Sequence, residues 1–280
     1  MLAAIESFES TGTFRNRQVI IDRAVLESGI PRELTSDGRD RGIIVYVHPH
    51  VALRVTDTVF KNNPRGAIKQ YGESKEVLDK PPLFSSYTNV SFVNCTAYTI
   101  ITPGEDVTTT ISGYRADAGK IGIRNDTVIT DATFVDSGIT EPAGHDQPVK
   151  RVTISSSSFT LGLPAYQAIS SRPGWVVSAT RTDFFFVDGA DERTTAYRGG
   201  QGSGEGHEEA TFTNSAFVDR TSRETHPESA IVFEAGEDEN SLTVTGSRFS
   251  GRFSPPILLK DAPGATVQLL DNLYFLRATR

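Results

Sequence analysis

Four aspartates stand where paired-acid chemistry would want them. Asp131 and Asp136 flank one short apolar segment, and Asp183 and Asp188 flank another 52 residues further on. Glycoside hydrolysis uses two carboxyl groups about 5–10 Å apart, one to give a proton and one to attack or to activate water. Acids at equivalent places on strands about 4.8 Å apart would meet that spacing. Three of the four also have a plainer use. Asp131 suits a tight turn, since Asx tolerates the left-handed backbone, and Asp136 and Asp188 suit loop starts. No catalytic role is therefore expected, and the four remain the weak catalytic candidates.

Metal and phosphate chemistry have candidates too. His48 and His50 stand at i and i+2 around Pro49, so on a strand both would face one side as a metal pair, with no third ligand in view. Glu237, Asp238 and Glu239 form an acidic run that offers oxygen ligands to calcium, but their spacing matches no EF-hand loop. Similar groups, Asp188, Asp191 and Glu192, and Glu205, Glu208 and Glu209, read as solvated surface. His145, His207 and His226 fall in polar segments. The stretch GGQGSGEGHEE (199–209) lacks the Lys-Ser/Thr ending of a phosphate-binding loop. No cofactor is expected.

Elements must place these residues, and a repeat supplies them. An apolar-x-apolar strand, a polar residue, an Asx or small residue, a small residue, any residue and a Phe recur nine times. The copies are VIIDRAVL (19–26), LRVTDTVF (53–60), SSYTNVSF (85–92), TVITDATF (127–134), VTISSSSF (152–159), VSATRTDF (177–184), ATFTNSAF (210–217), LTVTGSRF (242–249) and QLLDNLYF (268–275). Alternation marks a strand with one buried face. Asp57, Asn89, Asp131, Asn214 and Asn272 then turn the chain, and the closing Phe points inward again. A weaker strand precedes each copy, as in AIESF (4–8), GIIVYV (42–47), KIGI (120–123), QAIS (167–170), SAIVF (229–233) and PPILL (255–259). The segment 94–123 is a partial extra rung or a protruding hairpin. An antiparallel sandwich is the competing architecture.

This unit resembles the right-handed parallel β-helix of the pectate-lyase-like superfamily, in which Asx or small residues at one turn stack into ladders. The resemblance implies an all-β fold, a single domain over 1–280 of about nine rungs, with variable loops between them. At about 4.8 Å per rung the stack would be about 40 Å long. Polysaccharide lyases of this fold carry calcium-binding acids with a basic residue on the same face. Arg151 and Arg181 lie near the right rungs, yet no such motif is legible around them. The resemblance extends to viral tail-spike and virion proteins, among which trimers are common.

Composition narrows the partners. Asp and Glu number 35 against 28 Lys and Arg, a net charge of −7, which argues against a nucleic-acid partner. Only 7 Lys accompany 21 Arg. That acidic, lysine-poor balance resembles proteins of salt-loving archaea and their viruses, although GC-rich coding gives the same bias. The lone Cys95 rules out an intrachain disulfide. MLAAIESFESTGTF has neither the basic nor the apolar region of a secretory leader, and no run reaches the 18 or so apolar residues of a span. Synthesis in a host cytoplasm without a signal peptide is expected.

The expectation is a non-enzymatic structural or host-attachment protein of a virus particle, tail-spike-like or a capsid-surface decoration. It would be oligomeric, with other virion proteins as partners and a host surface glycan as a further one. The stack shows no capping helix, so a partner is expected to cover at least one end. A lyase or hydrolase acting on a surface polysaccharide is the alternative, and a glycan-binding module a third reading. An aromatic groove would favour either; Trp175, Tyr197 and Tyr114 are its candidates, with core packing as their simpler role.

Overall fold

The computed structural model describes residues 5–6, 18–27, 45–47, 51–63, 66–70, 84–103, 108–142, 150–200, 207–222, 224–234, 240–260 and 264–277. Among them are thirty strands and no helix. The strands sort into three sets of ten, here called sheets A, B and C, with every third strand in the same set. The chain divides into two compact units, Met1–Val128 and Ile129–Arg280. Within each unit neighbouring strands of a sheet pair in parallel, giving a parallel β-helix-like solenoid. This is what the repeat predicts, and a sandwich of hairpins would have paired antiparallel strands.

Each sequence frame covers one B strand, one tight turn and one C strand, as in Ala52–Thr56 with Val59–Lys61 and Glu209–Thr213 with Ala216–Asp219. The turn residue lies in the left-handed region at Arg23, Asp57, Asn89, Gly113, Asp131, Ser156, Arg181, Asn214, Gly246 and Asp271, with φ between 48° and 65°. Asx and Gly reach that region cheaply; Arg23, Ser156 and Arg181 are held there by their neighbours. After most of these turns the next residue is small and faces inward, with Tyr114 the largest exception. Ser157, Ser215 and Ser247 are buried there. Each donates its hydroxyl to the carbonyl two residues back and accepts a backbone N–H from the rung before. The ladder thus satisfies backbone groups that the turn removes from the sheets.

The closing aromatic residues stack. In the second unit Phe134, Phe159, Phe184, Phe217, Phe249 and Tyr274 form one column, with ring centroids 4.2, 5.0, 5.0, 4.7 and 5.3 Å apart and planes within 11° of parallel. Each phenylalanine ring is fully buried, and burial of one contributes about 1.5–3 kcal/mol. In the first unit Phe60 stacks on Phe92 at 5.1 Å.

Two details differ from the sequence reading. The described residues of the segment 94–123 carry a further B strand and a further C strand of the solenoid. Thr108–Ser112 pairs with Phe84–Thr88, and Arg115–Ala116 pairs with Ser91–Val93. The Phe frame does not mark it, because Ala116 stands opposite Phe92 where the frame has an aromatic residue, and Tyr114 covers Phe92 instead at 5.4 Å. The last copy is displaced by one residue. Leu242 pairs with Val267 and Phe249 with Tyr274, so the frame is 267–274, and Asp271 rather than Asn272 makes the turn. Asn272 lies beside it, and its side chain accepts from Ser247 N and donates to Val244 O.

Candidate functional site

The four aspartates do not form one constellation. Asp131 sits in the left-handed turn, with Ser156 and Arg181 at the same place on the next two rungs and Asp183 two residues beyond Arg181. Asp131, Arg181 and Asp183 line a shallow depression of about 400 Å³. Thr133, Ser158 and Asp183 lie in register, so Asp183 is two rungs from Thr133, about 9.6 Å along the stack. Asp136 and Asp188 lie at the other end of the C strands. Asp136 accepts the N–H of Gly162 at 2.6 Å, and Asp188 accepts from the N and Oγ of Ser222 at 2.7 and 2.8 Å. These two acids brace successive rungs, the turn use that their positions suggested. His48, His50, His145, Glu237, Asp238 and Glu239 lie outside the described residues.

The acid that differs most from its sequence reading is Glu208. Grouped with surface acids, it is in fact fully buried. The sign was its parity: it precedes the inward Ala210 by two residues, so it shares Ala210's face. Registers place Lys150 beside Trp175, and Glu208 and Asn240 follow at the same inward position on the next two rungs. Glu208 Oε1 accepts from Tyr197 Oη at 2.5 Å and from Ser171 Oγ, and its backbone N–H donates to Asn240 Oδ1 at 2.6 Å. Its second oxygen, Oε2, meets no side-chain partner among the described residues, and the Gly200 backbone lies close enough to favour the charged form. Burial raises the Glu208 carboxyl above its ordinary range, and burial with the adjacent carboxylate raises the Tyr197 hydroxyl.

One rung before Trp175, Lys150 Nζ pairs with Glu141 Oε1 at 2.5 Å, and both side chains are nearly inaccessible. Arg172 reaches the other oxygen at 3.4 Å, and Lys150 lies 5.7 Å from the Trp175 ring. Tyr114, Trp175 and Tyr197 are buried, so none offers a ring to a bound sugar. Chemically this corner can hold a proton and fix register from within.

The last rung is a different kind of surface. Leu259, Leu269 and Tyr274 take the inward places of Phe233, Val244 and Phe249, all fully buried. Yet these three, with Leu276 beside them, are 43–47% exposed. Leu270, Leu273 and Phe275 on the outer side are exposed as well. No helix among the described residues is long and apolar enough to cross a membrane. Comparison with protein-family models, curated proteins and solved structures found no match to this chain.

Proposed function

We propose that this chain is a non-enzymatic structural or host-attachment component of a virus particle, built as a right-handed parallel β-helix and joined to a partner through its last rung. The observation that carries the reading is the row of inward side chains left open at Leu259, Leu269, Tyr274 and Leu276. Contiguous apolar surface of this kind marks an interaction site. The unpaired edges of the last strands, Ile257–Lys260, Thr266–Leu270 and Leu273–Leu276, offer a template for another strand. Another subunit's β rung satisfies both edge and column at the spacing already present. The family resemblance favours a trimer.

Light scattering on the purified chain tests this. The wild type is expected as an oligomer, and Leu269→Glu with Tyr274→Glu as a monomer with an unchanged circular dichroism spectrum. A wild type that stays monomeric at tens of micromolar would sink the assembly reading. The virion assignment has its own test in the neighbouring genes. Capsid or tail genes support it, and sugar-transport genes overturn it. The depression lined by Asp131 and Asp183 favours the second reading, a polysaccharide lyase or hydrolase. New reducing ends or unsaturated uronates after incubation with a host surface glycan would establish that reading instead.

A further inference from the structure

Arginine gathers on one outward face of the second unit, in a chain whose net charge is −7. Val218, Ser250 and Phe275 are in register on three successive C strands. Two residues beyond each stand Arg220, Arg252 and Arg277, one arginine per rung on backbones about 4.8 Å apart. Arg248 joins them from the start of its strand, Arg248–Gly251. Arg220, Arg248 and Arg277 line a groove of about 430 Å³, with Phe275 and Asp219 in its wall.

Three of the four charges are not cancelled locally. Arg252 is paired with Asp219, whose carboxylate is almost fully buried and also accepts from the N and Oγ of Thr221. Asp188, on the preceding rung, accepts from Ser222. Arg220, Arg248 and Arg277 make no ion pair among the described residues. Two of them are positioned by rings: Arg220 lies 4.0 Å over Phe185 and Arg248 5.1 Å over Phe275. A guanidinium stacked on a ring keeps its N–H fork free for a carboxylate.

The geometry points to a docking groove for an acidic, partly apolar segment of a partner protein. Charge complementarity selects carboxylates. Exposed Leu273 and Phe275 on the same outer side supply the apolar part, and arginine with aromatic side chains is the composition of interface hot spots. Nucleic acid is disfavoured, because Phe185 and Phe275 already carry guanidinium groups and offer no stacking face to a base. The groove lies on the outward side of sheet C and is separate from the inward column of the last rung, so either surface fails without the other.

The test uses the full chain and a fluorescent peptide of alternating Glu and Leu, with alternating Gln and Leu as the uncharged control. The acidic peptide is expected to bind, and to weaken as salt screens it. Arg220→Ala and Arg277→Ala should each cost about tenfold in affinity. Arg115→Ala, an exposed arginine in the first unit, should cost nothing. Leu269→Glu should disrupt assembly and leave peptide binding intact, which separates this groove from the assembly reading. Equal binding of the Gln-Leu peptide, an unaffected Arg220→Ala/Arg277→Ala variant, or preferential binding of polygalacturonate or single-stranded DNA overturns the proposal, as does no binding at all.

Discussion

Phe217→Ala removes a ring from the middle of the aromatic column. Phe217 is fully buried between Phe184 at 5.0 Å and Phe249 at 4.7 Å, and Phe212 meets its edge at 5.6 Å. Truncation loses the transfer energy of the ring and leaves a cavity that parallel strands on both sides hold open. Phe-to-Ala changes in cores cost about 3–5 kcal/mol, and three lost ring contacts place this one near about 4 kcal/mol. With a urea slope of about 3 kcal/mol/M, the midpoint should fall by about 1.3 M. Trp175, the chain's single tryptophan, is buried in the same unit and reports the transition by its fluorescence. Phe275→Ala is the control. That ring is 56% exposed and meets the Arg248 guanidinium, so its loss should cost about 0.5 kcal/mol, a shift of about 0.2 M. If the two variants melt alike, the column does not hold the second unit together.

The buried acids give two further predictions. Glu208 has a native pKa raised above its ordinary 4.5, so the folded state holds its proton more tightly than the unfolded state. Stability from this group is complete below about pH 4.5 and declines as pH rises toward the native value. Glu208→Gln should abolish that decline in a series of thermal melts, and superimposable pH profiles for variant and wild type would refute it. Lys150→Met leaves Glu141 in the core with Arg172 at 3.4 Å as its one cation among the described residues, and should cost about 3–5 kcal/mol in urea denaturation. Adding Glu141→Leu should recover most of that loss; a double variant no better than the single one would show that the pair is not the cause.

The repeat was legible because local chemistry wrote it. A strand with one buried face must alternate, a tight turn favours Asx or Gly, and a column needs a large side chain at one phase, so Phe60, Phe92, Phe134, Phe159, Phe184, Phe217 and Phe249 announce themselves. The reading failed where a neighbour in space took over the job. Ala116 carries no ring because Tyr114 covers Phe92 from another position in the same rung. At 267–274 three consecutive large residues, Leu273, Tyr274 and Phe275, fit either phase, and only pairing with Phe249 selects Tyr274.

Sequence by itself determined the class of structure: parallel strands, left-handed turns and a stacked aromatic core all follow from short-range preferences repeated along the chain. Only the tertiary structure decided which charged groups are buried and which gather. Glu208 looks like its surface neighbours until stacking places it beside Tyr197 and Ser171. Arg220, Arg252 and Arg277 are 25 or more residues apart in the chain and become neighbours only because each turn of the solenoid returns to the same face. Loop lengths between rungs vary, so the period that aligns such residues is fixed by hydrogen-bonded register and not by counting along the sequence.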